Sequence, residues 1–396
     1  MTEQVLSHLR VIDLTYYISG PYCTKLMAGF GADVIKIERP ETGDKMRSLG
    51  PFYQNEEGVE HSIPFLWLNT GKKSITLNLK TGKGVEIFKE LVQTTDVVVE
   101  NFSPGVMPRL GLGYEDLREV NPGLVMASIS NFGQTGPYKD HKADEIEMNA
   151  MSGVMHVTGA SDKPPLTSGP AMCQYSAGLH AYTAILMSLF QRETTGQGQY
   201  LDISIMECGL EHIENRLTDF LQLGKNSNRG SHLFAPWGLY NCEDGYVAVI
   251  GAPFRHWTRG AEIFEEPRLL EDKYRHVRDR AQHREEVDAL IQPWVSKHKK
   301  KEVFQKAVEH NLAFGYLASF DEVLESPQHK ARDFFVEIDH PTVGKHRYCG
   351  APFKMSQTPW ASFRAPLLGE HNQAVYGDLL AYSTQEIHCL QEEGVI

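Results

Sequence analysis

Three cations in the first third of the chain stand where a cation can do chemistry. Arg39 follows the strand-like segment ADVIKIE, Lys80 follows SITLNL, and Arg109 lies just beyond the turn Asn101-Phe102-Ser103-Pro104-Gly105. A cation at a strand end, or beside a turn that exposes backbone amides, is the residue type that meets a phosphate. Any one of the three is equally well a solvated surface charge. A second constellation is Lys142-Ala143-Asp144-Glu145-Ile146-Glu147, three carboxylates opening a predicted helix. Carboxylates can act as nucleophiles or proton carriers, but in a first helical turn they also complement the helix dipole and cap its amides. The six cysteines are scattered without CxxC spacing, so they are read as reduced, and Cys173 as a small buried hydrophobe. The 17 histidines, His141, His156 and His180 among them, show no HExxH or comparable spacing, and no metal is expected.

The elements that must position these residues follow a repeating pattern. Leu9 to Leu14 reads as a strand, Ser19-Gly20-Pro21 as a turn, Thr24 to Phe30 as a helix and Ala32 to Ile37 as a strand. Ser74 to Leu79, Asp96 to Glu100, Leu124 to Ser128 and Tyr200 to Ser204 read as further strands, and Gly84 to Thr94 as a helix. Strands alternating with helices imply an α/β fold with a large, Rossmann-like, doubly wound domain. Gly178 to Gln191 is apolar on most faces and is expected to be a buried helix. A polar, glycine-marked stretch near Asn226, followed by the charge-dense segment 271–301, marks a smaller inserted α/β domain. The expected boundaries are residues 1–223 with 325–396 for the large domain and 224–324 for the small one.

Composition narrows the function. The 396 residues, 41% of them hydrophobic, suffice for two cores, and the net charge of −12 disfavours a nucleic-acid partner. The opening MTEQVLSHLRVIDL lacks a basic segment and long apolar run, and no stretch of about 18 apolar residues occurs, so a cytoplasmic protein without membrane spans is expected.

Seven blocks, in one order over nearly the whole chain, resemble the class III CoA-transferases of the formyl-CoA transferase and carnitine-dehydratase type. They are Ser19-Gly20-Pro21, GADVIKIERPETGD (31–44), KKSITLNLK (72–80), VVENFSPGVMPRLG (98–111), SNFGQTGPY (130–138), RETTGQGQ (192–199) and RAPLLGEH (364–371). The resemblance implies an acyl-CoA and a small carboxylic acid as substrates, and interlocked dimers. It places Arg39, Leu77, Lys80, Asn101, Phe102, Arg109 and Lys142 along the coenzyme A site. Those residue types suit the ligand: cations for its phosphates, and Phe102 with Leu77 to flank adenine. A glycine-rich lid implied by the family has no clear counterpart, because Asn228-Arg229-Gly230 carries a single glycine.

In this family an aspartate attacks the acyl-CoA carbonyl, forming a mixed anhydride and then an aspartyl-CoA thioester. The position lies in a loop just before the long helix, and alignment on Gly178 and RETTGQGQ puts Gln174 there. No Asp or Glu lies between Lys163 and Glu193. Four readings follow. The chain is one of two unlike subunits, the aspartate being on a similar partner, as in the family member benzylsuccinate CoA-transferase; or Glu145, which matches an acidic active-site position, substitutes as nucleophile. Alternatively the chain is an acyl-CoA racemase or isomerase, although Asp144 stands at the racemase histidine and Gln174 at the second base. Finally, it is a non-catalytic acyl-CoA-binding protein, whose binding groups outlive the reacting one.

Overall fold

A computed structural model describes residues 4–226, 229, 234–251 and 254–396. Of the lid segment, Asn228 and Gly230 lie outside the described residues. The chain divides into two compact units, Met1–Ser227 with Asp333–Ile396, and Asn228–Arg332.

The larger unit is built on β1 (Arg10–Asp13), β2 (Asp33–Glu38), β3 (Lys73–Thr76), β4 (Val97–Glu100), β5 (Val125–Ser130) and β6 (Tyr200–Ser204). They form one six-stranded sheet in the order β3-β2-β1-β4-β5-β6, and every pairing is parallel. The fold is thus the mixed α/β architecture that the alternating pattern implies. Parallel strands are covered on both faces and read as continuous apolar runs. Successive side chains accordingly feed two cores: Val11, Val34, Val97 and Val99 on one face, Ile12, Ile35, Ile75 and Val98 on the other.

Helix α1 (Ser19–Gly29) follows β1 and begins earlier than the sequence implies, with the Ser19-Gly20-Pro21 turn forming its first turn. Proline is tolerated there because its missing N–H would have no partner in the helix. A Cβ on Gly20 would fall 2.3 Å from the Thr15 side chain, so the close return of helix to strand needs glycine. Helix α2 (Gly82–Val92) is capped by Thr81, and α3 (Glu145–Met151) by Asp144 in a capping box with Glu147.

Helix α4 runs from Met172 to Thr195 and packs on α1. Two expectations are corrected here. The helix starts six residues before Gly178, so Gln174 belongs to its first turn and not to a preceding loop. Nor is the helix buried on all sides, since Leu179, Met187 and Phe190 are 50%, 65% and 74% exposed. One face meets the sheet and α1, while these three side chains on the other are left exposed among the described residues.

The smaller unit contains β7 (Trp237–Cys242), β8 (Gly245–Ile250) and β9 (Phe314–Tyr316) in an antiparallel sheet. Its core includes Val247, Trp257, Ile291 and Val303.

Candidate active site

In the strand order, β1 and β4 lie side by side while the chain runs outward from them in opposite directions. Open parallel sheets bind ligands at such a reversal, beyond the carboxyl ends of the strands. Thr15–Tyr17 follow β1, Arg39 follows β2, Leu77 to Lys80 follow β3, and Asn101 to Gly105 follow β4. All seven predicted binding residues except Lys142 and Arg109 therefore emerge at one edge, and those two lie on segments beside it.

Buried charges fix these loops. Lys36, fully buried, donates to the Thr15 carbonyl at 2.7 Å and pairs with Asp44 at 2.8 Å. Lys72 pairs with Asp13 at 2.9 Å, and Arg47 with Glu38 at 2.7 Å. Burial alone would raise the Asp13 carboxyl, but Lys36, Lys72 and the Thr15 hydroxyl together hold it well below the usual range. The Lys72 amine is pushed down to about 8 by burial, partly offset by Asp13.

Asn101 clamps the β1 loop. Its Oδ1 accepts from the Tyr16 N–H at 3.0 Å, and its Nδ2 donates to the Tyr16 carbonyl at 2.7 Å. The Phe102 ring lies 6.1 Å from that of Tyr16, and its N–H donates to Glu100 at 2.7 Å. Leu77 is buried in the core against which Phe102 packs. Lys142 reaches the same loop, its Nζ 3.3 Å from the Ser103 hydroxyl. Arg39, Lys80 and Arg109 are exposed, and none makes an ion pair among the described residues. Exposed cations around a buried, rigid platform match the needs of a polyphosphate ligand.

The carboxylate cluster joins this region at the start of α4. Glu145 Oε1 accepts from the Cys173 N–H at 2.8 Å, and Oε2 from the Gln174 N–H at 3.2 Å. Asn149 Nδ2 donates to the same carboxylate at 2.8 Å, while its Oδ1 accepts from the Ser168 hydroxyl. Ala171, just before the helix, has φ +55° and supplies no side-chain cap. Glu145 is thus the helix cap, delivered from 27 residues upstream of the Met172 start. The Gln174 side chain is buried one turn before Gly178, where a Cβ would fall 2.5 Å from the Ser19 carbonyl. Glycine there lets α1 and α4 touch.

Tyr17, next to Tyr16 on the loop after β1, adds a feature that the sequence did not point to. Its φ of +72° is a left-handed conformation, unfavourable for a bulky side chain. Burial first, then the carboxylates of Asp144 and Glu145, raise its hydroxyl pKa, which places the ring beside the α3 start. Strain of this kind persists where surrounding bonds over-determine the backbone. Here Asp13 and Lys36 hold Thr15, and Asn101 holds Tyr16. Asn149 and Glu100 were also missed. For Glu100 a signal existed: a lone carboxylate ending the strand VVVE.

Residues 6–372 match the family described as CoA-transferase family III. Over 99% of its length the chain is 36% identical to a formyl-CoA:oxalate CoA-transferase from Streptomyces avermitilis, all of which is covered. It is 34% identical, over 99% of the chain and 98% of the relative, to a succinyl-CoA–D-citramalate CoA-transferase from Chloroflexus aurantiacus. A murine succinyl-CoA:glutarate CoA-transferase is 33% identical, over 99% of the chain and 90% of the relative. Among solved structures, a CAIB/BAIF family protein from Brucella suis superposes with a TM-score of 0.85 at 29% identity, covering 95% of this chain and 100% of that one.

Proposed function

Because the chain belongs to CoA-transferase family III, we propose that it moves CoA between an acyl-CoA such as succinyl-CoA and a small carboxylic acid, as one subunit of a heteromer whose similar partner chain supplies the reacting aspartate. The observation that carries this reading is the first turn of α4. Gln174 is buried there, and the nearby Glu145 carboxylate is already engaged by two backbone amides and Asn149. A neutral amide does not form an anhydride that a thiolate can reopen, and a carboxylate spent on three donors is a poor nucleophile.

In this reading Arg39, Lys80, Arg109 and Lys142 hold the phosphates of CoA, Asn101 fixes the loop, and Phe102 faces adenine, while Leu77, expected to flank the ring, is buried in the core against which Phe102 packs. The partner's aspartate oxygen bonds to the acyl carbon and the CoA thiolate leaves. The thiolate then attacks the aspartyl carbonyl of the anhydride, releasing the donor acid. The acceptor carboxylate attacks the resulting aspartyl-CoA, and the thiolate returns to the acceptor's carbonyl. Every carboxylate and thiolate consumed is regenerated.

A partner chain also accounts for the uncovered apolar positions of α4. A later helix, Glu214–Leu223, exposes Leu217, Phe220, Leu221 and Leu223 as well. Exposed apolar patches of this kind mark association surfaces.

The test is intact-protein mass spectrometry after incubation with succinyl-CoA, on the chain alone and co-expressed with a similar Asp-bearing chain. An adduct confined to the partner supports the proposal. An adduct on this chain alone overturns it in favour of a substitute nucleophile such as Glu145. CoA binding without an adduct on either chain overturns it in favour of a non-catalytic acyl-CoA-binding protein.

A further inference from the structure

Glu100, the last residue of β4, is 4% exposed and immediately precedes the Asn101–Gly105 loop. Its Oε2 accepts from the Phe102 N–H at 2.7 Å, and the Ser128 hydroxyl on β5 also hydrogen-bonds it. No lysine or arginine compensates its charge among the described residues. Its side chain does not end in packed core. It lines a cavity of about 430 Å³ with Ser103 and Gly105 of the loop and with Ser128, Gln134 and Tyr200. A cavity with several polar walls admits water, so the carboxyl can exchange its proton with solvent.

We propose that Glu100 is a positioning residue for the coenzyme A site, whose carboxylate holds the Asn101–Gly105 loop in its binding shape and releases that hold on protonation. The proposal rests on the CoA-binding reading of this loop. A hydrogen bond to an ionised acceptor is stronger than one to a neutral acceptor, so the Phe102 peptide is held tightly only by the carboxylate form. Burial raises the Glu100 carboxyl to about 7, against the lowering effect of its Ser128 and Phe102 hydrogen bonds. The groups facing it are Tyr16 beyond β1, Tyr200 on β6, and Tyr114, Glu115 and Asp116 across the cavity. None is a cation that would keep the carboxylate ionised at low pH.

Two measurements at pH 6 and pH 8 test this on the wild-type chain and Glu100→Gln. One is hydrogen exchange of the 101–105 amides, corrected for intrinsic rates, without ligand. The other is CoA affinity by calorimetry. In the wild type, the loop is expected to exchange about fivefold faster, and CoA to bind about fivefold more weakly, at pH 6. Glu100→Gln is expected to lose this difference, keeping only the contribution of the ligand's own phosphates. Equal loop exchange at the two pH values in the wild type overturns the proposal even if the variant does not fold. So does a wild-type pH dependence of affinity that Glu100→Gln retains. Loop exchange that follows pH in a chain that binds no CoA upholds the role of Glu100 on the loop and refutes the CoA reading instead.

Discussion

Replacing Glu145 separates two roles that the sequence left open, helix cap and nucleophile. In the structure its carboxylate takes the Cys173 and Gln174 amides and the Asn149 side chain. Removing a helix cap costs about 1 kcal/mol, and leaving a further buried donor without an acceptor costs on the order of 1–2 kcal/mol. Asn149 Nδ2 keeps a bond to the Glu145 backbone carbonyl at 3.0 Å, which limits the loss on that side. Glu145→Ala should therefore weaken the first turn of α4 by roughly 2–3 kcal/mol, or about 30- to 150-fold in local opening. Glu145→Gln retains one oxygen acceptor and should fall about halfway. Native-state hydrogen exchange on peptides spanning 172–178 reads this directly, without assuming that a two-unit chain unfolds in one step. In parallel, the yield of covalent CoA adduct with the Asp-bearing partner should fall no more than the helix turn loosens. If Glu145→Gln abolishes the adduct while exchange at 172–178 is unchanged, the cap argument is refuted and Glu145 is a reacting group.

Asn101→Ala removes both bonds to the Tyr16 backbone. It should weaken CoA binding about tenfold with little change in overall stability, measured by calorimetry and thermal melting. Gly178→Ala puts a methyl 2.5 Å from the Ser19 carbonyl and 3.1 Å from the Tyr22 ring, so the α1–α4 contact must open. A loss of about 1–3 kcal/mol in denaturant stability is expected, and a neutral outcome would contradict the close approach. Lys25 is 4% exposed, its Nζ 3.5 Å from the centre of the Trp67 ring. Burial pushes its amine down to about 7, so the unfolded chain binds more protons than the folded one between there and the usual lysine value near 10.5. Stability should rise with pH across that window. Lys25→Met should be stabilising by roughly 2 kcal/mol at pH 7, the cation–π contact offsetting part of the burial cost. Its advantage should vanish by pH 10, and a pH-independent difference in chemical denaturation would rule this out.

How much of this was legible in the sequence depends on the range of the forces involved. The strands were readable because a parallel sheet covered on both faces demands continuous apolar runs. Val97-Val98-Val99 is such a run, and nothing distant is needed to recognise it. The start of α4 was not readable, because no residue at 168–171 caps it through a side chain. The cap comes from Glu145, and local propensity carries no trace of a partner 27 residues away. That displacement changes the chemistry. A glutamine in a loop could turn away, whereas Gln174 is buried on the first turn, at a helix end whose positive dipole favours an anion. The same dipole would favour the ionised form of an aspartate at 174, against the burial of this position, which favours the neutral acid. Glu145 beside it opposes a second negative charge, but its own is already neutralised in part by the two amides it caps. Gln174→Asp should therefore fold, and intact-mass spectrometry with succinyl-CoA should find an adduct on this chain without a partner. A folded variant that binds CoA but never acquires one would mean that the catalytic geometry has been lost along with the residue.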